Sequence, residues 1–257
     1  MSSATAFDPS RVRALCFDID GTLADTDDHL VAKLADMLDA VPLVSGRRAE
    51  RLARQAVMKA ATPVNGAYAK LDEFGLDVPL SALRRRLRSI RRRVADPGRT
   101  RNPQAIDEVP HEMMAGVKEM IVALADHFPM CTISTGAVPR IESFLEHYEV
   151  RQLFVAIIGA QTTRRMKPHP EPLRFAAATM CVSPQECLMI GDTTIDMLTG
   201  TAAGAQTVGV LCGFGTEAEL RSAGAQLILN TTSDLLAVLR PTEDPAAREA
   251  ARHPVVP

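Results

Sequence analysis

Six short apolar runs punctuate the chain: VRALCFDI (12–19), MCTIS (130–134), FVAIIG (154–159), CLMIG (187–191), QTVGVL (206–211) and QLILN (226–230). Their apolar residues run on continuously rather than alternating with polar ones, so each reads as a strand buried on both faces. Between the runs the period changes. Ile141, Phe144, Leu145 and Tyr148 fall at helical spacing, as do Leu173, Ala176, Ala177 and Met180, and each set lines one face of a helix. Alternating strands and helices predict an α/β fold, a Rossmann-like parallel sheet built from right-handed crossovers. Sheets of this kind bind ligands at the carboxyl ends of their strands.

One interval breaks the rhythm. Between Ala24 and Pro110 there is no strand pattern, but Leu30, Leu34, Met37 and Leu38 make one helical stripe and Leu83, Leu87, Ile90 and Val94 another. The pattern therefore predicts an α/β core domain over residues 1–24 and 111–257, interrupted by an inserted, all-helical cap domain over 25–110. DPGRTRNP (96–103) reads as a linker near the end of the insertion, and HEMMAGVKEMIVALADH (111–127) as one helix leading back to the sheet. Residues 1–10 and the Pro- and Ala-rich tail 241–257 are expected to be disordered.

Composition narrows the class of protein. A chain of 257 residues that is 46% hydrophobic can bury a large core. With 29 basic and 31 acidic residues the net charge is −2, so bulk charge gives no argument for nucleic acid or membrane partners. No apolar run approaches the ~18 residues of a membrane span, and the start has no apolar segment of signal-peptide length. The five cysteines are odd in number and form no CxxC pair, which reads as buried thiols in a cytoplasmic protein. Seven arginines crowd the ten residues from Arg84 to Arg93. They read as a solvated helix face, the sharper alternative being a clamp for an acidic substrate, and no interleaved aromatic residues support nucleic-acid stacking. The sequence leaves the oligomeric state open.

The chemistry lies where the strands end. Asp18 and Asp20 follow the first run, Ser134 the second and Asp192 the fourth, with Lys167 in the loop after the third. Residues i and i+2 of a strand share a face, so Asp18 and Asp20 repel each other unless a cation compensates. If the strands are neighbours, carboxylates, a hydroxyl and an ammonium converge on one crevice suited to a divalent cation and a phosphate.

The lettering of these segments is also familiar. DIDGT (18–22), IST (133–135), KPHPEP (167–172) and GDTTID (191–196) resemble, in order and spacing, the four motifs of the haloacid dehalogenase-like (HAD) hydrolase superfamily. The stretch GTAAGAQTVGVLCGFGTEAELRSAGAQLIL (200–229) is most similar to its phosphoglycolate phosphatase-like branch, which carries a helical cap. That resemblance implies a Mg²⁺-dependent phosphatase acting on a small phosphorylated metabolite through an aspartyl-phosphate. Asp18 would be the nucleophile, its ordinary pKa of ~3.9 leaving it ionised at neutral pH, and Asp20 the general acid and base. Ser134, Thr135, Gly136 and Lys167 would hold the substrate. Mg²⁺ would be bound by the carboxylates of Asp18 and Asp192 and the backbone carbonyl of Asp20. Asp196 would serve as an outer carboxylate or stabilise the first turn of its helix. Asp20 separates the chain from relatives that cleave carbon–halogen bonds, which lack this aspartate. Thr135 stands where many relatives have Asn, and Thr26-Asp27 replaces the usual Ser-Glu after Asp25. A sugar phosphomutase of the same superfamily and a catalytically silent phosphoester-binding protein are the alternatives.

Overall fold

In the computed structural model, which describes residues 6–25 and 112–239, all six apolar runs form strands of one sheet. These are β1 (Ala14–Phe17), β4 (Met130–Ile133), β5 (Ala156–Ile158), β6 (Cys187–Gly191), β7 (Gln206–Val210) and β8 (Leu227–Leu229). They are parallel throughout, in the order β5-β4-β1-β6-β7-β8. Two further short strands, β2 (Ala24–Asp25) and β3 (Glu112–Met113), form a separate antiparallel pair.

The continuous apolar runs follow from burial on both faces. In β1, Leu15 and Phe17 join one core cluster with Met130, Leu188, Ile190 and Val208, whereas Ala14 and Cys16 join another with Cys131, Ile133 and Met189. Helices α1 (Val117–Ala125) and α2 (Val138–His147) cover the first face with Met120, Ile121, Leu124, Ile141, Phe144 and Leu145. On the second face, α3 (Glu171–Thr179) contributes Leu173, Ala176 and Ala177, and α4 (Thr194–Ala203) contributes Ala203. Each large aliphatic side chain buried in this way is worth about 1.5–3 kcal/mol. The short helices α5 (Glu217–Ser222) and α6 (Leu235–Val238) complete the described fold. Among the described residues no helix is long and apolar enough to cross a membrane.

Three expectations change. The segment 111–127 is not one helix: Glu112 and Met113 pair with Asp25 and Ala24, and α1 starts only at Val117. Gly116 stands at φ +74°, a left-handed conformation that a right-handed helix cannot run through. β2 likewise falls in a stretch with no strand pattern, because a two-residue strand has no period to read and exists through its distant partner. Residues 6–10, within the stretch expected to be disordered, are part of the described fold. The Asp8 N–H donates to Gln206 Oε1 (2.7 Å) and Gln206 Nε2 donates back to the Asp8 carbonyl (2.8 Å), tying the segment to buried Gln206. Of the cysteines, Cys16, Cys131 and Cys187 are buried free thiols, Cys212 is partly buried and Cys181 is exposed. The predicted cap helices, the arginine cluster and the tail 241–257 lie outside the described residues.

Candidate active site

The sheet register sets the site. Phe17 pairs with Thr132 on one side and Ile190 on the other. The ladder then runs one residue further, with the Asp18 N–H donating to the Ile190 carbonyl and the Ser134 N–H to that of Ile158, both at 2.9 Å. Asp18, Ser134 and Asp192 therefore leave neighbouring strands at the same carboxyl edge.

At the centre is a buried ammonium. Lys167 Nζ donates to Asp18 Oδ1 and to Asp196 Oδ1, both at 2.6 Å, and its side chain is only 4% exposed. Burial alone would strip a lysine of its charge, but attraction to Asp18 and Asp196 outweighs it and holds the ammonium above its ordinary range. For Asp18 the balance goes the other way. Burial pushes its carboxyl up to about 7, with Lys167 pulling it down and Asp196 and Asp20 pushing it up. Asp18 is thus no ordinary carboxylate: its ionised form depends on the positive charge of Lys167 and of any cation held beside it.

Asp196 is fully buried and makes hydrogen bonds through both of its oxygens. Its Oδ2 accepts from the Thr193 N–H (3.1 Å) and hydroxyl (2.6 Å), closing a capping box at the start of α4, while its Oδ1 grips Lys167. Asp192 is held from two sides. Thr22 donates its hydroxyl to Oδ1 (3.3 Å), and the Phe214 N–H donates to Oδ2 (2.9 Å). Gly21, at φ +78°, lies so close beneath this carboxylate that a Cβ there would collide with it, so only glycine suits the turn.

Asp18, Asp192 and Asp196 each offer an oxygen, and these atoms all lie within 4.8 Å of one another. Three buried carboxylates against one lysine leave an excess of negative charge, and hard oxygen donors of this kind fit a Mg²⁺ ion. The Asp20 carboxylate is turned to a different partner: its Oδ1 accepts from Arg140 Nη2 at 2.8 Å. Ser134 is buried, and its Oγ accepts from the Gly136 N–H at 3.0 Å, whereas Thr135 is exposed.

The family model for a haloacid dehalogenase-like hydrolase matches residues 12–204. The chain belongs to that family. The resemblance read from the four motifs is therefore borne out, along with the α/β core. Among relatives of this HAD-like hydrolase, a phosphoglycolate phosphatase from Photorhabdus laumondii is 29% identical over 229 residues, covering 89% of this chain and 92% of its own. The pyrophosphatase PpaX of Bacillus cereus is 23% identical, covering 89% and 97%. A solved HAD family hydrolase from Deinococcus radiodurans, with bound phosphate and sodium, superposes with a TM-score of 0.60. It is 23% identical and covers 89% of this chain and 95% of its own.

Sequence reasoning missed Arg140, Thr22 and the Phe214 N–H. The first looks like any helix-face arginine, Thr22 was absorbed into the first motif, and a backbone donor carries no letter of its own.

Proposed function

We propose that this HAD-like hydrolase is a Mg²⁺-dependent, cytoplasmic phosphatase that hydrolyses a small phosphorylated metabolite through an aspartyl-phosphate on Asp18. The observation that carries this reading is Lys167 bridging Asp18 and Asp196 at 2.6 Å, beside the oxygen of Asp192. Such a centre suits phosphoryl transfer, in which positioning and charge neutralisation do most of the catalysis. The relatives named for phosphoglycolate and pyrophosphate hydrolysis support the substrate class. A two-carbon phosphomonoester is therefore the first substrate to test.

Mg²⁺, held by Asp18, Asp192 and the backbone carbonyl of Asp20, would supply positive charge to the phosphoryl oxygens and favour the ionised form of Asp18. Lys167 fixes one oxygen of Asp18 and so orients the other toward phosphorus. Asp18 attacks, and Asp20 gives its proton to the departing oxygen. Asp20 then takes a proton from the water that hydrolyses the aspartyl-phosphate. Ser134, Gly136 and Lys167 hold the rest of the phosphoryl charge.

The test is phosphate release from a panel containing 2-phosphoglycolate, sugar phosphates, pyrophosphate and p-nitrophenyl phosphate. Release that stops with EDTA and returns with Mg²⁺ is expected. An isomerised sugar phosphate without free phosphate, or no turnover of any compound, would contradict the proposal.

A further inference from the structure

The bond between Arg140 and Asp20 joins residues 120 positions apart, and both side chains are partly exposed, at 47% and 33%. Ion pairs so placed contribute roughly 0–1 kcal/mol to stability, because water and side-chain entropy compete with them. Stability therefore accounts for little of it, but location accounts for more. Arg140 sits in the first turn of α2, on the segment that also carries the Ser134–Gly136 loop. Its neighbour Ile141 is 2% exposed, and with Phe144 and Leu145 it anchors α2 against the sheet. The guanidinium is thus tethered to a fixed backbone, and Asp20 stands on the hydrogen-bonded turn from Ile19 to Ala24, so that what Arg140 restrains is the Asp20 side chain.

A proton-transfer group must be held within hydrogen-bond reach of the leaving oxygen, and a loose carboxyl at the mouth of a site spends its time elsewhere. We propose that Arg140 is a positioning residue for Asp20: its guanidinium takes Oδ1 and so leaves the second carboxyl oxygen facing the leaving group. This rests on the reading of Asp20 as the proton-transfer residue.

Steady-state kinetics with Mg²⁺ on two aryl phosphates tests it. Phenyl phosphate expels a phenoxide whose conjugate acid has a pKa of ~10 and benefits from protonation, and p-nitrophenyl phosphate expels a far better leaving group. Arg140→Gln is expected to lower kcat/KM for phenyl phosphate about 10-fold more than for p-nitrophenyl phosphate, with Arg140→Lys recovering part of the difference. In an Asp20→Ala background Arg140→Gln should cost nothing further, since residues acting as one unit are not additive. Thermal melting shows whether each variant is folded.

Equal losses on both substrates, no loss, or a loss that persists without Asp20 would each overturn the proposal, the last by showing direct contact with substrate. If Asp20→Ala itself fails to discriminate between the two substrates, the proton-transfer reading falls and this proposal with it. If Asp20→Ala discriminates and Arg140→Gln does not, only the role of Arg140 is refuted.

Discussion

Lys167 and Thr132 show two ways of burying a polar group. The lysine has a carboxylate on each side, so its desolvation is compensated and its charge is kept. The Thr132 hydroxyl, fully buried in β4 two residues before Ser134, has no hydrogen-bond partner among the described residues. An unpaired buried hydroxyl costs about 1–3 kcal/mol, and valine keeps the same shape without it. Thr132→Val is accordingly expected to stabilise the protein by about 1 kcal/mol, read as a higher urea midpoint at unchanged slope. A lower midpoint would mean that the hydroxyl is in use.

At the level of elements, the carboxyl edge of the sheet is braced from the far end of the described chain. The Thr232 hydroxyl donates to the Thr22 carbonyl (2.7 Å), and the Thr22 hydroxyl donates to Asp192 Oδ1. Cys212 adds a contact from its thiol to the Gly21 carbonyl (3.6 Å). The turn before α6 thus supports the loop that holds a proposed metal ligand. Removing a group that orients a ligand usually costs 10–100-fold in metal affinity, and Thr232 acts one bond further away. Thr232→Val is expected to weaken Mg²⁺ binding roughly 3- to 10-fold by calorimetry, against near-complete loss in Asp192→Asn. An unchanged affinity would confine Thr232 to holding the fold. None of this bracing was legible in the sequence, since two of its acceptors are backbone carbonyls and its partners are far apart along the chain. β2 and β3 were hidden for the same reason, and Gly116 inside an apolar stretch was read through as helix. The six core strands, by contrast, were written plainly, because a strand covered on both faces is mostly apolar, with Thr132, Gln206 and Thr207 as buried polar exceptions and the edge strand β8 only partly buried.

Over the whole molecule, the parallel sheet does one thing that no single motif could: it brings Asp18, Lys167, Asp192 and Asp196, from distant parts of the chain, to one edge. Their order was legible as motifs, and the adjacency of β4, β1 and β6 turns that order into geometry. What the letters could not carry was electrostatic depth, which moves Asp18 away from an ordinary carboxylate. They also gave no sign of Arg140. The central claim is a division of labour between two carboxylates, Asp18 attacking and Asp20 moving protons. It is tested most directly in Asp20→Ala mixed with Mg²⁺ and p-nitrophenyl phosphate, quenched in acid and measured by mass spectrometry. The good leaving group needs little protonation, so phosphoryl transfer should go forward while hydrolysis of the intermediate stalls. A burst of p-nitrophenol close to one per protein, with one phosphoryl group on the peptide containing Asp18 and none in Asp18→Asn, is the expected result. No burst and no modified peptide in Asp20→Ala, under conditions where the unmodified protein turns the substrate over, would contradict the account.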